Sequence, residues 1–129
     1  MIVQILKLKI QGVIVTESNI DYPGSISLSA ELLAAAGIRQ FELVHVNNKT
    51  NGNRIITYAV QNNQQRCVTI NGAASKLFNK GDEVHILSFA MLTEIEAETF
   101  KPILVITDKN NNVINTKAYL VDGNGYARK

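Results

Sequence analysis

Few stretches of this sequence look built for chemistry, and the first is Asp21-Tyr22-Pro23-Gly24-Ser25. Pro-Gly is ordinarily a type II turn, because proline presets the first central φ and glycine accepts the positive second one. The bond that follows, Gly24–Ser25, permits more. In a constrained loop a serine hydroxyl can attack the preceding carbonyl and move the acyl group from nitrogen to oxygen. Elimination of that ester leaves dehydroalanine, which hydrolyses to a pyruvoyl group. Glycine before the serine tolerates the strained backbone such an attack needs. A Gly-Ser pair by itself says little.

Cations and hydroxyls lie elsewhere. Arg54 can grip a carboxylate through two parallel N–H bonds, and Lys9 offers a point charge. In an extended segment Arg54, Ile56, Tyr58 and Val60 share one face, so Arg54 and Tyr58 can line one pocket, while Thr57 faces the other way. Each residue also has an ordinary explanation. Arg54 beside Asn51-Gly52 suits a solvated hairpin, Lys9 alternating with Lys7 suits a solvated strand face, and Tyr58 suits barrel packing. Asn71-Gly72 reads as a hairpin turn or as the start of a short helix over 73–78. His45 and His85 sit in apolar strand runs and read as structural or surface residues.

The elements that would position these groups are mostly strands. Leu6, Leu8 and Ile10 alternate with Lys7, Lys9 and Gln11, the period of a half-buried strand. Gly12 breaks that alternation before Val13, Ile14 and Val15 resume it, which predicts a bulge or kink. Strand-like runs follow at 43–46, 55–60, 68–70, 84–89 and 103–107. Between them stand the turn sequences Thr50-Asn51-Gly52-Asn53, Asn79-Lys80-Gly81-Asp82 and Asp108-Lys109-Asn110-Asn111. Ser29 can cap a helix over 30–36, with Glu31 in its first turn and Gly37 at its stop. Thr93 and Glu96 have capping-box spacing for a second helix ending before Pro102. Short strands with small helical inserts predict a mainly β, closed barrel rather than a parallel α/β sheet.

Composition narrows the field. The chain of 129 residues suits one domain, taken as 1–121 with a loose polar tail at 122–129. Apolar residues at 46% and charged residues at 19% are ordinary for a globular protein. A net charge of +2 with scattered cations, 6% aromatics and no Trp leaves no footprint or stacking platform for nucleic acid. Cys67 is the single cysteine, so an internal disulfide is excluded, and no Cys/His cluster points to a metal. No run of about 18 apolar residues predicts a membrane span. A cytoplasmic location is the default expectation.

Set in order, several short pieces resemble the pyruvoyl-dependent aspartate 1-decarboxylases over residues 1 to about 107. They are Lys9, Val15-Thr16, Tyr22-x-Gly24-Ser25, Ala35-Ala36-Gly37-Ile38, Asn51-Gly52-x-Arg54, Thr57-Tyr58, Asn71-Gly72-Ala73-Ala74 and Lys80-Gly81-Asp82-x-Val84. The resemblance implies a double-psi β-barrel, a homotetramer and decarboxylation of L-aspartate to β-alanine for pantothenate and coenzyme A synthesis. It implies autocatalytic cleavage after Gly24, giving a 1–24 chain and a 25–129 chain that begins with a pyruvoyl group made from Ser25. A separate maturation factor can assist that step. Such a ketone condenses with the substrate amine as a Schiff base and acts as the electron sink that a departing carboxylate requires.

The resemblance also distributes roles. Tyr58 returns the proton to the carbanion, and Thr57 holds the oxyanion during cleavage and touches substrate. Lys9 and Arg54 face the substrate carboxylates. Asn71, Gly72, Ala73 and Ala74 form a substrate cradle, and Tyr22 belongs to the processing loop. The chain departs from the pattern at Gln11, where the family usually carries histidine; glutamine can hydrogen-bond but not carry a proton at neutral pH. Some members also show histidine at the position of Asp21 and tryptophan at that of Asn47. Gln11 should share the face of Lys9. A barrel that no longer processes, serving as a binding or regulatory subunit, is the main rival reading; a small nucleic-acid-binding barrel is the other.

Overall fold

The computed structural model describes residues 1–23 and 25–125. Among the described residues there are nine strands: β1 (Ile2–Ile14), β2 (Glu17–Asn19), β3 (Ile26–Ser29), β4 (Leu43–Asn48), β5 (Arg54–Asn62), β6 (Val68–Asn71), β7 (Glu83–Thr93), β8 (Ile103–Thr107) and β9 (Val113–Ala118). They form one sheet in the order β2-β6-β3-β5-β4-β7-β1-β8-β9. Five strands therefore stand between β1 and β2, although only Val15 and Thr16 join them along the chain. On a flat sheet those strands would lie about 29 Å apart at ~4.8 Å per strand, far beyond the reach of two linking residues. The sheet has to curl back on itself. Thr16 N–H donates to the Val68 carbonyl at 2.8 Å, pinning the return to β6, while Val15 N–H donates to that of Asp82 at 2.9 Å beside the start of β7. The protein is a small β-barrel.

Its interior is filled by alternate residues of the strands: Leu8, Ile10, Val13 and Val15 from the first segment, Val44 and Val46, Val84 and Ile86, Ile26 and Leu28, Val68 and Ile70. The inward set in β1 shifts phase between Ile10 and Val13. The β1–β7 register slips at the same point, where Gly12 adopts φ 83°. The bulge expected at Gly12 thus absorbs one residue and keeps both halves of a long strand facing the core. Without it, every side chain beyond residue 11 would point to the wrong side.

Both helices form where their caps predicted. Ser29 Oγ accepts the Leu32 N–H at the start of α1 (Ala30–Ala36), and Gly37 ends it at φ 70°. Such a cap is worth ~1 kcal/mol. Thr93 and Glu96 complete a reciprocal capping box on α2 (Glu94–Thr99). Leu32, Leu33 and Ala36 bury the apolar side of α1 on the barrel.

Three strands were not among the expected runs. Glu17–Asn19 is short and polar, Val113–Ala118 lies at an exposed sheet edge, and Ile26–Ser29 is buried at every position. The segment after Asn71 is a 3-10 helix, Gly72–Leu77, rather than a hairpin turn. Within the expected tail, Gly125 N–H closes a turn on the Asp122 carbonyl; residues 126–129 lie outside the described residues. Among the described residues no helix is long and apolar enough to cross a membrane, and no His/Cys/Asp/Glu group could hold a metal.

Candidate active site

The strand order decides which candidate residues meet. β3 runs parallel to β5 with Ile26 opposite Ala59, and antiparallel to β6 with Ile26 opposite Ile70. One step back along both ladders, Ser25 stands between Tyr58 and Asn71. The Asn71 N–H donates to the Ser25 carbonyl at 2.8 Å. Ile26, Ala59 and Ile70 face the core, so Ser25, Tyr58 and Asn71 lie on the opposite face. This face is not open everywhere: Ser27, Thr69 and Asn71 are buried, Asn71 to 5% exposure, whereas Tyr58 keeps 41%. Gly24, the other half of the candidate bond, lies outside the described residues. Tyr22 and Pro23 are exposed on the approach to it.

Asn71 carries the most informative geometry. Its Nδ2 donates to Ser27 Oγ at 3.1 Å, but among the described residues its buried Oδ1 has no hydrogen-bond partner. Stranding a buried amide oxygen costs about 1–3 kcal/mol. An oxygen so placed has acceptor capacity to spare, on the residue whose backbone N–H binds Ser25. Gly72 follows at φ 67°, a conformation that favours glycine, and turns the chain into the 3-10 helix that carries Ala73 and Ala74. Ala74 packs partly on the core while Ala73 is exposed.

Arg54 and Tyr58 share the outer face of β5, as expected, with Ile56 between them at 67% exposure. Thr57 pairs with Val44, a core residue, and points inward. The β4–β5 register runs through Thr57 and Tyr58 without a bulge, so strand irregularity does not bring the two side chains to one side. Tyr58 is flanked by Leu43 across the ladder and by Phe41, whose ring centroid lies 6.3 Å away. Phe41 itself holds φ 67°, an unusual conformation for an aromatic residue. Phe41, Leu43, Ile56 and Tyr58 together form an uncovered apolar strip beside Ser25.

Lys9 lies elsewhere. β5, β4 and β7 separate β1 from β3, and Lys9 points outward with its ammonium 5.7 Å from the Tyr119 ring centroid. One copy of the chain does not bring Lys9 to Ser25. Gln11 is exposed on the same outer face as Lys9, as predicted. The residue opposite it, expected only to be structural or at the surface, has a specific contact. Where the β1–β7 register slips, His85 faces the Gln11-Gly12 bulge, and the Gly12 N–H donates to His85 Nδ1 at 3.2 Å. Burial and the nearby Lys9 charge hold the His85 imidazole below its ordinary pKa, with Lys49 adding to them and Glu83 opposing. Only the register could have found this pair, since the two residues are 73 positions apart in sequence.

A family model described as aspartate decarboxylase matches residues 1–114. The chain belongs to the aspartate decarboxylase family. Curated relatives agree across nearly their whole length. The aspartate 1-decarboxylase of Campylobacter jejuni subsp. jejuni serotype O:6 is 44% identical over 117 residues, covering 91% of this chain and 93% of that protein. That of Stenotrophomonas maltophilia strain R551-3 is 45% identical over 113 residues, covering 87% and 90%. The Acetivibrio thermocellus aspartate 1-decarboxylase is 39% identical over 119 residues, covering 92% and 94%. Family membership thus rests on the whole barrel, β1 through the start of β9, and not on the Gly24-Ser25 segment alone.

Proposed function

We propose that this chain decarboxylates L-aspartate to β-alanine, after cleaving itself between Gly24 and Ser25 and converting Ser25 to a pyruvoyl group. Family membership supports aspartate decarboxylation. For the pyruvoyl reading, the single most telling observation is Asn71, whose buried Oδ1 lacks a partner beside Ser25. The surroundings of Ser25 suit such a group: a backbone N–H fixes its carbonyl, and a phenol and an amide oxygen stand on the adjoining strands. A pyruvoyl ketone supplies an electron sink for the substrate nitrogen. The remaining work falls to side chains. Asn71 Oδ1 accepts a substrate N–H, the Tyr58 hydroxyl holds the proton that replaces the lost carboxylate, and Arg54 binds a carboxylate bidentately. Gly72, Ala73 and Ala74 leave room beside the main chain. Tyr22 belongs to the cleavage step, and the family resemblance assigns Thr57 to it as well, although its side chain points inward on β5.

The wider assignments rest on the same reading. The domain is residues 1–121, a double-psi barrel that matures into a 1–24 chain and a 25–129 chain, with a maturation factor where cleavage is slow. The product serves pantothenate and coenzyme A synthesis in the cytoplasm. The working form is a homotetramer. The uncovered strip Phe41, Leu43, Ile56 and Tyr58, and the separation of Lys9 from Ser25, both favour a site completed by a second copy. Purified, processed protein should release carbon dioxide and β-alanine from aspartate. Arg54→Ala should process yet turn aspartate over far more slowly, because a substrate carboxylate loses its bidentate partner. Full turnover by that variant would remove Arg54 from the site.

A further inference from the structure

We propose that His85 is a positioning residue, whose unprotonated Nδ1 holds the Gly12 bulge and thereby sets the Lys9-Gln11 arm of β1 in its working position. The role at Lys9 rests on the decarboxylase reading above; the bulge contact does not. An antiparallel ladder normally satisfies each N–H with a carbonyl of the neighbouring strand. At the bulge two residues, Gln11 and Gly12, oppose the single His85, and the Gly12 N–H is met by the imidazole. The side chain thus does a backbone carbonyl's work at the place where the register changes. Lys9 precedes this point by three residues, on the outward face.

An N–H donor can be received only by a ring nitrogen that carries no proton. In the imidazolium both nitrogens donate, and Nδ1–H would confront Gly12 N–H. The neutral ring is the one its surroundings favour. Burial and the Lys9 charge act against the imidazolium, Lys49 adds to them, and Glu83 alone opposes. From β4, Asn47 stands opposite, and His45 lies one step along the same face with its ring on Phe89. β8 brings Ile106 opposite Gln11, with no charge. The bulge contact is therefore present above the His85 pKa and lost as pH falls through it, below the ordinary imidazole value of 6.5.

Asparagine separates this role from bulk packing, since its Oδ1 can take the place of Nδ1 and does not titrate. His85→Asn should keep the KM for aspartate and lose the acid-side decline that His85 causes. His85→Leu should raise KM about tenfold, the size of one hydrogen bond, with kcat within about twofold. Cleavage at Ser25, which β4 and β5 separate from β7 within one copy, should proceed in both variants. In wild type the Gly12 amide 15N and 1H shifts should follow the imidazole titration, a readout available even if His85→Leu does not fold. A Gly12 amide blind to that titration, or a His85→Leu protein with wild-type KM and pH profile, would overturn the proposal. Absence of turnover in wild type would instead bring down the decarboxylase reading, and the role at Lys9 with it.

Discussion

Asn71 donates its backbone N–H to the Ser25 carbonyl at 2.8 Å while its side-chain oxygen stays buried and unpartnered. A buried acceptor that the fold leaves unpaired keeps its capacity for a donor from outside the chain. Asn71→Ala removes the oxygen and the bond to Ser27 together, so the two effects largely offset. The variant's unfolding free energy should stay within about 1 kcal/mol of wild type in urea titrations, while turnover falls at least tenfold. A large loss of stability with normal specific activity would make Asn71 a packing residue.

Tyr58 and Thr57 are adjacent on β5 but face opposite ways, so their variants should fail at different stages. Tyr58→Phe keeps the ring against Phe41 and deletes the hydroxyl. It should process normally and turn over ~10²–10⁴-fold more slowly, the usual range for general acid catalysis. Thr57→Val, nearly isosteric, should block cleavage. Gel analysis of cleavage beside a β-alanine assay distinguishes them; interchanged defects would reverse the two roles.

Acid should weaken the barrel partly through Glu42. Burial raises the pKa of this carboxyl, but bonds from Lys7, Ser88 and the Arg39 N–H outweigh it and hold the value below the ordinary 4.5. A depressed folded-state pKa contributes stability that is present above the unfolded value and lost as pH falls through the folded one. Glu42→Gln should therefore cost about 1 kcal/mol at pH 7 and much less near pH 3. Equal urea midpoint shifts at both pH values would contradict that.

Much of the barrel was legible because its strands alternate and its caps are local. Ser29-Gly37 and Thr93-Glu96 state helix ends within a few residues, and Gly12 marks a bulge by breaking a period of two. β3 was harder. Ile26, Ser27, Leu28 and Ser29 are all buried, so no exposed face advertises a strand between the Pro-Gly turn and the helix cap. The site was half legible for a related reason. Residue types pointed to Ser25, Tyr58 and Asn71, but their adjacency depends on β3 lying between β5 and β6, a crossover that periodicity does not encode. The same order sets Lys9 apart from Ser25 and brings His85 to Gly12, and neither could be read from spacing.

The central claim, that Ser25 becomes the reactive group, is tested most directly by the intact mass of purified protein after warm incubation, alone and with cell extract. The account predicts a 24-residue fragment ending at Gly24 and a blocked 105-residue remainder of the 129-residue chain. Its N-terminal mass should match a pyruvoyl group in place of serine, and Ser25→Ala should stay whole. A wild-type chain that remains intact under every condition would contradict the account and leave a barrel that no longer processes.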